Sequence, residues 1–313
     1  MEAIETKALS KRYGDVLALD GLDLTVKEGS VFGFLGPNGA GKTTTVKLLT
    51  GLSQPTSGRA WVAGEEVTPR AVSFRSKIGY LPDVPGFYGW MTGREFLLFT
   101  GELFGLPPSE NGKHSDELLE LVDLRKAGKR KVGGYSRGMR QRLGIAQALV
   151  NRPRVLFLDE PTSALDPVGR REVLELISRL KEESTIFMST HILSDVERVC
   201  DTLGIIDQGR LVTVASVEEL RRRYAPSVIE LQFDEDAAPI LPLLEGQPWL
   251  EKVESVLSNG LPTIRIKARD VVIAKTEVPR LVAQSGLPLL RYEVKMPSLE
   301  DIFVELVSGG GGL

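Results

Sequence analysis

Apolar residues in the first half of the chain come in short runs and alternations, most of them closed by turns rich in Gly, Pro, Asn, Asp or Ser. Residues 4–9 and 22–26 predict strands around the turn Arg12-Tyr13-Gly14-Asp15. Val31-Phe32-Gly33-Phe34-Leu35 predicts a buried strand, and Thr43 to Leu49 a helix directly after it. Strands are also expected at 59–64 and 78–83. Arg154-Val155-Leu156-Phe157-Leu158-Asp159-Glu160 predicts a buried central strand with two acids at its C-terminal end. Residues 184–190 predict another strand, and 203–212 a hairpin turning at Gln208-Gly209. Helical spacing marks 94–104, 115–123 and 136–150, and then Val173, Leu176, Ile177 and Leu180. Ser109-Glu110-Asn111-Gly112 is expected to be a loop, so a mostly helical insert spans about 84–150.

From residue 216 the order changes. A helix is predicted from Val217 to Tyr224, then strands at 228–233, 253–257, 263–267 and 290–295, with a hairpin turn at Ser258-Asn259-Gly260. Helical patterns lie near 236–246, 270–285 and 298–307. The order β-α-β-β-α-β resembles a split βαβ, ferredoxin-like domain. Gly309-Gly310-Gly311-Gly312 reads as a flexible tail. Two domains are expected, 1–215 and 216–313, and the length of 313 residues accommodates both.

Composition narrows the classes. A net charge of −3 argues against a nucleic-acid polycation, and the basic clusters Arg125 to Lys131 and Arg221-Arg222-Arg223 read as solvated helix faces or turns. No apolar run reaches the length of a membrane-spanning helix, and the N-terminus lacks a signal-peptide layout. The single cysteine, Cys200, excludes an intramolecular disulfide, suits a reducing cytosol and lies in an apolar helical pattern with Val196 and Val199, where a packed thiol is expected. With two histidines, His114 and His191, a multi-histidine metal site is excluded.

The chemistry is concentrated at strand ends. Gly36-Pro37-Asn38-Gly39-Ala40-Gly41-Lys42-Thr43-Thr44 fits the phosphate-binding loop G-x-x-x-x-G-K-[ST] and sits between a predicted strand and a predicted helix. Its glycines let successive N–H groups point inward at an anion, Lys42 reaches the outer phosphates, and Thr43 offers a hydroxyl to Mg²⁺. Asp159 is placed to hold Mg²⁺, and Glu160 to polarise an attacking water. His191, directly after a strand, can hydrogen-bond a γ-phosphate or water; alternatively it is a capping residue. Ser136 predicts an N-cap that, with Gly138, makes a second candidate anion site. Tyr13 stacks on a purine or is a half-buried turn residue. The aromatics Phe87, Tyr88, Trp90, Phe96, Phe99 and Phe104 form either a subdomain core or a docking surface.

Taken together over about residues 4–215, these motifs resemble the ATPase subunits of ATP-binding cassette (ABC) transporters. Tyr13 falls at that family's adenine-stacking aromatic, Gly36 to Thr44 at Walker A, Ser136-Arg137-Gly138-Met139 with Gln141-Arg142 at the signature, and Leu156 to Glu160 at Walker B plus the catalytic glutamate. Ser163-Ala164-Leu165-Asp166 falls at the D-loop and His191 at the switch histidine. Asp83 stands where the family has a Mg²⁺-contacting glutamine, and the signature lacks its first glycine and its glutamine. Both departures, and the closing segment Ser298 to Leu306, resemble the branch serving bacterial and archaeal drug, antibiotic or lipid-type exporters.

The resemblance implies an α/β phosphate-loop cassette: a mixed sheet core, an antiparallel β subdomain and an inserted helical subdomain. It implies an ATPase using ATP and Mg²⁺, the metal held by Thr43, Asp159 and Asp83. Two such subunits, identical or different, would face each other head to tail, with each ATP between one copy's Walker A and the other's Ser136 and Gly138. A separate transmembrane permease would dock on the aromatic stretch, placing a chain that is soluble when isolated on the cytoplasmic face of the membrane. The competing readings are a soluble ABC ATPase acting on nucleic acid or the ribosome, and a regulatory module that holds nucleotide without hydrolysing it.

Overall fold

The structure is a computed structural model. It describes residues 1–71, 73–163, 165–223, 228–258, 260–295 and 299–308. Ala164 of the D-loop segment, Tyr224, Asn259, Ser298 and the tail Gly309 to Gly312 lie outside the described residues. The chain divides into two compact units, Met1–Val217 and Glu218–Leu313.

The first unit opens with a long hairpin, β1 (Glu2–Tyr13) and β2 (Val16–Lys27). It continues through β3 (Val31–Leu35), α1 (Lys42–Leu49), β4 (Ser57–Val62), β5 (Glu65–Glu66) and β6 (Ile78–Leu81). Three helices follow, α2 (Gly93–Leu103), α3 (Pro108–Leu121) and α4 (Arg137–Leu149). Next come β7 (Val155–Asp159), α5 (Pro167–Leu180), β8 (Thr185–Thr190), α6 (Leu193–Val199), β9 (Thr202–Asp207) and β10 (Arg210–Ala215). The short helix α7 (Val217–Arg223) spans the division between the units.

Two sheets organise this unit. One is antiparallel, in the order β2-β1-β4-β5; the other has six strands in the order β10-β9-β3-β8-β7-β6. Within the second, β3, β6, β7, β8 and β9 run parallel, and β10 returns antiparallel along the edge. Every residue of β3, β7 and β8 is buried, as expected for parallel strands covered on both faces. Phe187 packs against Phe32, Phe34 and Phe157 with ring centroids 5.5, 5.3 and 5.7 Å away. Residues of both sheets, with Val46, Leu48 and Leu49 of α1, share one apolar core.

The register decides where the chemistry emerges. Leu35 lies beside Thr190, Asp159 beside Ser189, and Leu81 beside Leu158. The chain therefore leaves β3, β8, β7 and β6 at one sheet edge, delivering Gly36, His191, Glu160 and Asp83 to it. Ligands of open parallel α/β sheets bind at such carboxyl edges.

One expectation is corrected. Ser109 to Gly112 are not a loop but the first turn and more of α3. Pro107 precedes the helix and Pro108 begins it, where a missing N–H and a fixed φ suit the first turn. Asn111 is buried and its amide donates to the Leu98 carbonyl at 2.8 Å, so tertiary contact overrides its poor helix propensity. The aromatic stretch divides between a packed and an exposed part. Phe96 is buried against Phe87 at 5.0 Å, whereas Tyr88 and Trp90 remain 50% and 66% exposed.

The second unit holds β11 (Val228–Phe233), α8 (Leu241–Leu244), β12 (Leu250–Ser258), β13 (Leu261–Ala268), α9 (Val271–Ser285), β14 (Leu289–Lys295) and α10 (Leu299–Ser308). Its sheet runs β12-β13-β11-β14, all antiparallel. This is the strand order of the split βαβ, ferredoxin-like arrangement. Its core contains Ile229, Leu231, Phe233, Trp249, Ile264, Ile266 and Val278.

Candidate functional site

The loop after β3 owes its shape to its glycines. Gly39 and Gly41 have φ of 84° and 105°, the left-handed region that side chains disfavour. A Cβ on Gly36 would lie 2.3 Å from the Ile206 carbonyl oxygen, so only glycine fits there. Ala40 N donates to the Pro37 carbonyl at 3.2 Å, and the Ala40 carbonyl accepts from Gly209 N at 3.0 Å, anchoring the loop to the β9–β10 turn. Asn38 and Gly39 are exposed and Pro37 is half-buried. Lys42, 6% exposed, opens α1 and donates from Nζ to the Gly36 and Pro37 carbonyls at 2.8 and 3.2 Å. Thr43 is exposed beside it, and Thr44 is half-buried.

Three strands bring the ionisable groups to this loop. Lys42 Nζ lies 3.5 Å from Glu160 Oε1, and His191 Nδ1 lies 2.9 Å from Glu160 Oε2. The carboxylate accepts, so Nδ1 carries the proton and the other ring nitrogen is left for a further partner. Glu160 is 9% exposed and has φ of 49°, a strained conformation for a residue with a side chain. Its amide donates to the Ser189 carbonyl at 2.9 Å, which pins the turn.

Asp159, 1% exposed, accepts from Thr43 Oγ1 at 3.4 Å and from Ser189 Oγ. Burial pushes its carboxyl above the ordinary range; the two hydroxyls oppose this, and the negative charges of Glu160 and Asp83 add to it. No cation of the described residues pairs with it. Burial, with Asp159 and Asp83 nearby, also pushes the Tyr80 phenol up to about 12. Asp83 is exposed and accepts from Ser163 Oγ at 3.0 Å.

Lys42, Thr43, Asp159, Glu160 and His191 thus form one cluster, joined by Ser189, which the sequence reading passes over. Its only signal is a hydroxyl at a fully buried strand position. The remaining candidates lie apart from these contacts. Tyr13 ends β1 at the hairpin tip, 46% exposed, with Lys11 Nζ 4.9 Å from its ring centroid. Asp166 caps α5, accepting from Gly169 N at 2.8 Å. Ser136 is the N-cap of α4, accepting from Met139 N at 3.2 Å, and is exposed. Among the described residues nothing requires a glycine at 138: an added Cβ would meet only Leu165 Cδ2, at 3.8 Å. Cys200 is a packed thiol; burial raises its pKa, and its sulfur lies so close to Gly33 that a Cβ there would be 2.9 Å from it.

A parallel sheet, a glycine-shaped anion loop, a lysine and two acids at the carboxyl edge define a phosphate-loop nucleotide hydrolase. The family model described as ABC transporter matches residues 19–163, and that described as ATP-binding protein DrrA1-3-like, C-terminal domain, matches 216–307. The bacitracin transport ATP-binding protein of Bacillus licheniformis is 38% identical over 309 residues, 98% of each chain. A daunorubicin resistance ATP-binding protein of Streptomyces coeruleorubidus is 37% identical over 311 residues, covering 97% of this chain and 94% of that one. A solved ATP-binding subunit of an ABC transporter superposes with a TM-score of 0.64 at 30% identity, over 71% of this chain and 93% of its own. The chain belongs to the ATP-binding proteins of ABC transporters, and it binds and hydrolyses ATP as their ATPase subunit. Among the described residues no helix is long and apolar enough to cross a membrane.

Proposed function

We propose that the chain drives a drug- or antibiotic-type exporter, with Glu160 as the general base of ATP hydrolysis. The observation carrying this is the position of Glu160 between Lys42 and His191 at the carboxyl edge of the sheet. The loop from Gly36 to Thr44 binds the phosphates through its N–H groups and Lys42, and Tyr13 stacks on the base. Glu160 accepts a proton from the attacking water, and His191 orients Glu160 through Nδ1. Thr43 and Asp159 fit a magnesium ion: both offer hard oxygens, and Asp159 is a buried carboxylate whose described partners are hydroxyls. Asp83, whose negative charge bears on Asp159, would add a third oxygen to that set. When bound, the ion supplies positive charge to the phosphates.

Ser136 and Gly138 serve the opposite copy's nucleotide, in a homodimer or a heterodimer. The open space in front of Gly138, which no described residue fills, suits a phosphate from outside the chain. Asp166 belongs to the same dimer face. Residues 1–215 form the ATPase domain, with its helical subdomain at about 84–150, and 216–313 an accessory domain. Exposed Val84, Tyr88, Trp90 and Phe104 receive a separate membrane permease, which holds the protein at the cytoplasmic face of the membrane. The relatives named for bacitracin transport and daunorubicin resistance support an antibiotic-type cargo.

Glu160→Gln tests the assignment. It removes the base and keeps the shape, so turnover falls by about 10²–10⁴-fold while ATP still binds, and sedimentation shows an ATP-dependent dimer. Unchanged turnover, or a protein that stays monomeric with ATP, rejects it.

A further inference from the structure

A buried carboxylate outside the motifs joins the two turns that carry Glu160 and His191. Asp195, in the first turn of α6, is 1% exposed. Its Oδ2 accepts from Thr162 Oγ1, and its Oδ1 accepts from Arg170 Nε at 2.6 Å. Arg170 also donates from Nη2 to Ser194 Oγ at 2.6 Å. Thr162 follows Glu160 by two positions, and Asp195 follows His191 by four. One carboxylate therefore ties the turn after β7 to the turn after β8, with α5 as the third anchor through Arg170.

The joint is strong for physical reasons. A carboxylate bonded to guanidinium makes short, charge-assisted hydrogen bonds. Burial makes an unpaired donor costly, so both oxygens hold their partners. Packing α5 on α6 would need only the Arg170 bond. The Thr162 bond adds something else, because it reaches the segment that holds Glu160 in its strained φ of 49°.

We propose that Asp195 is a positioning residue for ATP hydrolysis. Acting through Thr162, it holds the Glu160 turn against the His191 turn and so maintains the 2.9 Å contact between their side chains. The inference rests on the roles assigned to Glu160 and His191 above. A misplaced general base loses rate without losing substrate, since the phosphate loop is built from other residues.

The test compares Thr162→Val, Thr162→Ser and Asp195→Asn in the full chain, each alone and combined with Glu160→Gln. Thr162→Val keeps volume and leaves the Arg170–Asp195 pair intact, so it reports even if Asp195→Asn folds poorly. Its kcat falls by about ten- to a hundredfold, while KM for ATP stays within about threefold. Thr162→Ser, which keeps the hydroxyl, restores most of the rate. In the Glu160→Gln background, Thr162→Val causes no further loss, because the two act on one step. A Thr162→Val enzyme with normal kcat beside an impaired Glu160→Gln overturns the inference alone, as does full multiplication of the two effects. An unimpaired Glu160→Gln overturns the catalytic assignment and this inference with it.

Discussion

Asp159 and Glu230 are buried carboxylates on strands of two different sheets, and their surroundings push them in opposite directions. Asp159 ends β7 with hydroxyls as its described partners, and burial raises its pKa. Glu230 lies mid-strand in β11, 7% exposed. Burial pushes it up too, but Lys295 and Arg265, at 2.6 and 2.8 Å, outweigh burial and hold it below the ordinary range. The C-terminal sheet has neutralised its buried charge internally. In the ATPase sheet no cation of the described residues meets the charge of Asp159. An uncompensated buried charge costs stability, and functional sites are where proteins keep such costs.

Asp159→Asn breaks the comparison most directly. Removing the unbalanced charge keeps the acceptor oxygen for Ser189 or Thr43. In buffer free of metal and nucleotide, the thermal midpoint of the variant should rise by about a few degrees. Magnesium-dependent turnover should fall by about a hundredfold or more. Calorimetry and phosphate release measure the two effects on one sample. A lower midpoint would mean that the hydroxyl bonds already compensate the charge, and the contrast with Glu230 would disappear.

Lys42→Ala sharpens the same contrast from the cationic side. Lys42 lies 3.5 Å from Glu160 but is also tied to two loop carbonyls, so its charge is only partly spent inside the chain. Bonds to charged groups are worth about 1.5–3 kcal/mol, which predicts an ATP affinity about ten- to a hundredfold weaker. Equilibrium binding of a fluorescent ATP analogue measures it. An affinity within twofold of the parent would show that the loop's N–H groups alone hold the phosphates.

How much of this was legible in the sequence follows from how local each signal is. The strand, loop and helix around Gly36 to Thr44 are adjacent in the chain, and their residue types state their geometry. The apolar run ending at Asp159 and Glu160 is equally local. The apolar pattern marks the hairpin of β1 and β2 only as fragments at 4–9 and 22–26. Its pairing shifts register between Thr6 and Leu9, and Ala8 has φ of 46°, so the alternation breaks where the strand continues. The start of α3 was hidden by polar letters whose helical state depends on a contact between Asn111 and Leu98. Ser189, Thr162 and Asp195 were hidden for a related reason: each is bonded to a residue about thirty positions away, and no spacing rule covers such pairs. Ser136 is legible as a helix cap, but no contact among the described residues explains Gly138.

Glu230→Gln gives the smallest expected effect and tests the compensated side. The substitution removes the charge, but Arg265 and Lys295 are 44% and 45% exposed and can turn to water. The loss at neutral pH is therefore about 1 kcal/mol, well short of a broken, fully buried pair. The pH dependence has a definite sign. Glu230 is held below its ordinary value of 4.5, so the unfolded chain binds the proton more readily than the folded one. The stabilisation is fully present above about pH 4.5 and is lost as pH falls through the lowered folded value. Urea unfolding, followed through Trp249 in a chain carrying Trp61→Phe and Trp90→Phe, reads this unit, because Trp249 is buried in its core. The gap between parent and Glu230→Gln should close on going from neutral pH to about pH 3, with ATP turnover at neutral pH unchanged. A gap that widens on acidification would mean that burial, not the two cations, governs Glu230, and that both sheets carry the same kind of uncompensated charge.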